Sequence, residues 1–147
     1  MIHILFGEMG SGKNYHGERL AKRLGVPFVD GDSFLPPDLV ECLERGGVFT
    51  TADVERFFNG YLLPGLMDRN IKHPDGFVVA QALYNDVHRQ ELYQIFHESR
   101  LYWVKPSFAR HIGNLCKRRD PFTWIGRMLV SKLWFQTPYV PHEVIYN

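Results

Sequence analysis

Cysteine is scarce in this chain: 147 residues contain two, Cys42 and Cys116. Two thiols cannot build a disulfide scaffold, and both fall in helical patterns, so they read as reduced core thiols of a cytoplasmic protein. Charge of one sign is also missing. The formal net charge is +1, which gives no reason to expect nucleic acid or an anionic membrane as a partner. No apolar run approaches the roughly 18–20 residues that span a bilayer. No basic region or cleavage pattern stands ahead of the first apolar segment. The seven histidines show no metal-ligand spacing, so no structural metal is expected. Repeats, low-complexity tracts and linkers are absent, and the length suits one domain, residues 1–147.

What is present begins at the N-terminus. Ile2, Ile4, Leu5 and Phe6 make a short strand, and the glycine-rich segment Gly7-Glu8-Met9-Gly10-Ser11-Gly12-Lys13-Asn14 follows. After it, Gly17, Leu20, Ala21 and Leu24 recur at i, i+3, i+4, i+7, one face of a helix. Strand, loop and helix around G-x-x-x-x-G-K are the context of a phosphate-binding loop. Gly7, Gly10, Ser11 and Gly12 would turn backbone N–H groups toward one point, and the helix N-terminus adds partial positive charge. Lys13 would reach the outer phosphates as a mobile cation. The position after that lysine calls for a magnesium-ligating hydroxyl, and this chain has Asn14.

The chain then alternates strands and helices. A helix over 13–24 stops at Gly25, and Val26-Pro27-Phe28-Val29 forms a strand that delivers Asp30-Gly31-Asp32. Pro36-Pro37 opens a helix reaching Arg45. Thr50-x-x-Asp53 is a capping-box variant for a helix carrying Phe57, Phe58, Leu62 and Leu63 toward Asn70. The nearly continuous apolar run from Phe77 to Leu83 predicts a parallel strand covered on both faces. A helix over 86–98, a strand at 101–104 and a helix capped by Ser107 follow, the last with Phe108, Ile112, Leu115 and Cys116 on one stripe. Residues 123–135 read as helical again, and Glu143 to Tyr146 as a last strand. The pattern is α/β, three layers, with a mainly parallel sheet of about five strands and helices on both faces. Ligands in such sheets bind at the C-terminal strand ends, where the phosphate loop, Asp30 and Asp32 would gather.

Asp30 and Asp32, at the end of the second strand, could hold magnesium-bound water and accept a proton from a substrate hydroxyl. The alternative is an Asp-Gly-Asp surface turn. Lys117-Arg118-Arg119 and Arg127 flank a proline-containing loop. They are either lid cations that arrive on closure or a solvated helix end, with Arg119 and Arg127 the stronger candidates. Trp103, Trp124 and Trp134 suit core or lid packing. His88 and His111 fall in helices, facing solvent, with no assigned role.

These segments together resemble the gluconokinase and shikimate kinase group of small-molecule kinases. The resemblance rests on Gly7-x-Met9-Gly10-Ser11-Gly12-Lys13 and Phe28-Val29-Asp30-Gly31-Asp32-x-x-x-Pro36-Pro37. It continues through Arg45-Gly46-Gly47, 51–56, 78–83, 101–105, 128–133 and Thr137-Pro138, nearly end to end and in order. It implies a P-loop kinase domain with ATP and Mg2+ as cofactors and a sugar acid or similar metabolite as acceptor. Asp30 would organise the metal's water shell, beside a weak ligand at Asn14, and Asp32 would contact or deprotonate the acceptor hydroxyl. Arg56 and Arg89 would lie on the substrate side, and residues 118–128 would form the lid. A homodimer is compatible with this picture.

The departures are specific. Asn14 replaces the magnesium-ligating hydroxyl, Leu35 stands where gluconokinases have His, and Tyr84-Asn85 where they have Lys-Arg. The last strand is not followed by the closing helix of that group. Lost cationic charge argues against gluconate itself. A catalytically weakened nucleotide-binding protein, acting as regulator or interaction module, is therefore the competing reading, and nucleoside monophosphate kinase activity a third. A switch GTPase is disfavoured, since Asn70-Ile71-Lys72-His73 is not N-K-x-D, and a motor-type ATPase because the strand at 77–83 does not end in an acid.

Overall fold

A computed structural model describes residues 1–117 and 121–147, excepting the side chains of 108, 111, 114, 115, 121–125, 128 and 131. Five strands, β1 (Ile2–Phe6), β2 (Phe28–Asp30), β3 (Phe77–Gln81), β4 (Ser99–Lys105) and β5 (Glu143–Tyr146), form one sheet in the order β2-β3-β1-β4-β5. Every pairing is parallel. The expected α/β architecture is therefore the one observed, with β1 at its centre.

Seven α-helices are described: α1 (Lys13–Leu24), α2 (Pro37–Glu44), α3 (Thr51–Phe57), α4 (Leu63–Lys72), α5 (Asp86–Ile95), α6 (Phe108–Cys116) and α7 (Pro121–Trp134). Successive side chains of a strand point to opposite faces, and here both faces are covered. Ile2, Ile4 and Phe6 of β1, with Phe77 and Val79 of β3, pack against Leu39, Phe57, Phe58, Leu62, Leu66 and Leu92 from α2 through α5. Leu5, Val78 and Ala80 face the other way onto Ala21 of α1, with Tyr102 and Val104. Two-sided burial is why β3 reads as an unbroken apolar run.

Three expectations need correcting. Cys116 is exposed and Cys42 half-buried, so neither is a core thiol. Leu24 is exposed, because α1 buries only Gly17 and Ala21 fully before its left-handed cap at Gly25. The helix expected from Thr50 toward Asn70 is not uniform: a π-helical turn, Phe58–Leu62, joins α3 to α4. Pro64 has no N–H to donate four residues back and its ring crowds that turn, so the helix widens by one residue just upstream. The widening lets consecutive Phe57 and Phe58 both point inward.

β1 lies between β3 and β4. The chain leaves β1 toward the β2 edge and later crosses to β4 on the other side. That reversal opens a crevice at the C-terminal end of β1.

Candidate active site

The glycine-rich loop leaves β1 at this crevice and enters α1. Gly10 and Gly12 adopt left-handed φ values of 74° and 90°, which side chains with a Cβ rarely tolerate. Gly12 is the N-cap of α1, and its carbonyl accepts the His16 N–H at 3.0 Å. A Cβ on Gly7 would meet the Val104 carbonyl at 2.6 Å. Backbone approach, not side-chain chemistry, selects that glycine. Ser11 is fully buried. Its carbonyl accepts from the Asn147 side-chain amide at 3.1 Å, and Asn147 Oδ1 in turn accepts from Arg110 Nη1 at 3.4 Å.

A cleft of about 1100 Å³ opens in front of this loop. Gly10, Gly12, Lys13, Asn14 and Asp32 line it together, as do Leu35, Tyr84 and Asn85, so all four positions that depart from the gluconokinase pattern face this cleft. Gly7, Ser11 and Asp30 are not among the lining residues. Asp30 sits at the end of β2, where its Oδ1 accepts the Asp32 N–H at 3.0 Å and its Oδ2 accepts Asn14 Nδ2 at 2.9 Å. The first bond caps the 3-10 turn Gly31–Phe34 that presents Asp32.

The four arginines fare differently. Arg56 pairs with Asp38 of α2, and the guanidinium holds the Asp38 carboxyl below the usual carboxylate range. Arg56 is not part of the cleft lining. Arg89 is 0% exposed, so an accessible substrate contact there is corrected to an internal one. Its Nη2 donates to the Gln136 carbonyl at 2.6 Å, and its guanidinium lies 5.0 Å and 4.9 Å from the Phe6 and Phe135 ring centroids. Burial lowers the Arg89 pKa, while neighbouring Asp86 opposes that shift. Arg127 of α7 is buried and reaches across the cleft, donating to the carbonyls of Leu43 at 2.8 Å and Gly47 at 3.2 Å. Arg119, like Arg118 and Asp120, lies outside the described residues, as do the side chains of Trp124 and His111.

His88 is not solvent-facing. It is 4% exposed, stacks on Phe58 with ring centroids 4.0 Å apart, and places Nε2 2.8 Å from Glu55 Oε1. All three residues line the cleft. The signal for His88 was its i, i+4 spacing to Leu92 on the buried face of α5. Glu55 and Asn147 carried no comparable signal, because only folding brings Glu55 to His88 and Asn147 to the loop. Leu83, at φ 46° and buried, adds a strained turn beside Tyr84 and Asn85.

A divalent cation held as the phosphate-loop pattern requires needs oxygen lone pairs at position 14 and on the strand-end carboxylate. Here position 14 turns an NH₂ donor onto that carboxylate. The residues present do not fit the expected magnesium site.

No family model and no curated protein matches the chain. Solved structures do. A sugar kinase from Janibacter sp. HTCC2649 superposes with a TM-score of 0.77 at 17% identity, over 99% of this chain and 83% of that one. A gluconokinase from Sinorhizobium meliloti 1021 gives 0.74 at 18% identity, over 98% and 79%. A shikimate kinase from Aquifex aeolicus vf5 gives 0.60 at 16% identity, over 99% and 85%. The chain shares its fold with these sugar kinase, gluconokinase and shikimate kinase structures.

Proposed function

We propose, for a chain that shares its fold with gluconokinase and shikimate kinase, that it transfers the γ-phosphoryl group of ATP to a hydroxyl on a small metabolite. The observation that carries this reading is that the glycine-rich loop, Lys13 and Asp32 line one cleft at the C-terminal end of β1. The N–H groups at the start of α1, with the helix dipole, would bind the phosphates, and Lys13 would follow the outer one as a point charge. The acceptor oxygen would bond to the γ-phosphorus as the bond to the bridging oxygen breaks. ADP then leaves with the electron pair, and the hydroxyl proton passes to Asp32. Arg127, already held across the cleft by two carbonyls, would keep water away from the transfer.

Glu55, His88, Phe58, Leu35 and Tyr84 also line the cleft, and as an acceptor-binding wall they would offer less cationic charge than an aldonic acid needs. A polyol or another acceptor with an uncharged body fits it better. The test is ATP consumption with sugar acids, polyols, shikimate and nucleoside monophosphates in turn. Turnover should require one acceptor and fall at least about 100-fold in Lys13→Ala and in Asp32→Asn. Unchanged turnover in both variants would remove Lys13 and Asp32 from the mechanism.

The contact between Asn14 and Asp30 favours one competing reading, a nucleotide-binding protein with little or no turnover. ATP binding without consumption across the whole panel would select it.

A further inference from the structure

We infer that the Asn14 amide takes the place of a divalent cation in this site, so that the loop binds nucleotide phosphates with the same affinity whether or not magnesium is present. The inference rests on the nucleotide-binding part of the reading above and not on turnover. Its basis is the way Asp30 is used. Oδ2 accepts from Asn14 Nδ2 at 2.9 Å and Oδ1 from the Asp32 backbone at 3.0 Å, so each carboxylate oxygen has a donor from the chain itself. The orientation of the amide follows from charge. With the amide turned over, its carbonyl oxygen would face a carboxylate oxygen at 2.9 Å, which is repulsive unless a cation lies between them. With the nitrogen forward, the contact is a charge-assisted hydrogen bond needing no cation.

The location makes the bond consequential. Asn14 is in the first turn of α1, directly after Lys13, and Asp30 ends β2, so the bond ties the phosphate-binding helix to the turn that presents Asp32. In a loop with a hydroxyl at position 14, a metal and its waters would bridge those two elements. Here the chain bridges them directly.

Calorimetric titration of the full-length protein with ATP, in excess magnesium and in EDTA, tests this. The wild-type dissociation constants should agree within about twofold, whereas Asn14→Thr, which restores the hydroxyl and frees Asp30 Oδ2, should bind at least about tenfold tighter with magnesium. A tenfold tightening by magnesium in the wild type would overturn the inference, since the amide oxygen would then be facing a cation. An unresponsive Asn14→Thr would overturn it too, by showing that position 14 is not at the metal.

Absence of ATP binding in both buffers would sink the nucleotide-binding reading instead. The bond itself is tested without nucleotide. In EDTA, urea denaturation of Asn14→Ala, Asp30→Ala and the double variant should give non-additive losses, by at least about fivefold in the unfolding equilibrium constant. Additive losses would rule out the bond.

Discussion

Arg89 shows how one residue's role turns on burial. Its guanidinium lies against both the Phe6 and Phe135 rings and donates to the Gln136 carbonyl. Nε also forms an ion pair with Asp86 Oδ1 at 3.1 Å. Removing one partner of a buried pair leaves the other charge uncompensated, at a cost of about 3–5 kcal/mol. Arg89→Ala should therefore lower unfolding free energy by that order in urea titration. At a temperature where it remains folded, its KM for the acceptor should be unchanged. His88 is the opposite case, buried yet facing the cleft, with Glu55 as its partner. Glu55→Gln should keep the fold, because Glu55 is half exposed, and should shift acceptor KM while leaving the ATP dissociation constant unchanged.

Among the elements, α3 is one whose start was fully legible. Thr50 Oγ1 accepts the Asp53 N–H at 3.1 Å and the Asp53 carboxylate accepts the Thr50 N–H at 3.0 Å, a complete capping box. Thr50→Ala should cost about 1 kcal/mol in denaturation experiments and leave ATP affinity unchanged. Caps and glycine stops are local, so Thr50, Gly25 and the α1 boundaries could be read from neighbours in the chain. The π turn could not, although Pro64 was its cause. Its position depends on which phenylalanines the core accepts, and both Phe57 and Phe58 are needed there. α5 likewise ends at Ile95, short of the Glu98 its pattern predicts, since helix ends fray and Phe96 turns into the core.

For the molecule as a whole, stability and ligand binding are linked. A ligand that binds only the folded chain adds about 2.7 kcal/mol at 100 times its dissociation constant. Saturating ATP should therefore raise the melting temperature of the wild type and not of Lys13→Ala. Acid should act in the opposite direction through His3. Its Nδ1 lies 3.0 Å from the Tyr102 hydroxyl, and burial, followed by the Arg100 charge, lowers its pKa. The unfolded chain then binds the proton more readily, so folding stability is intact above the ordinary histidine value of about 6.5 and is lost as pH falls through the lowered one. Urea titrations at descending pH should show this decline, with a shallower slope in His3→Gln.

Local pattern alone determined the α/β class, the strand and helix sequence, and the phosphate-type loop with its mismatch at Asn14, whereas Leu35, Tyr84 and Asn85 stood out only against the gluconokinase resemblance. Each locally determined feature needs only residues close in the chain, where periodicity, capping and glycine conformation act. Tertiary structure decided the strand order that sets β1 between β3 and β4, the burial of Arg89, and the assembly of Glu55, His88 and Phe58. It also decided the use of Asn14, whose letter was visible as a mismatch. Its partner was not, because Asp30 lies sixteen positions along the chain and α1 and β2 must fold before the amide meets it.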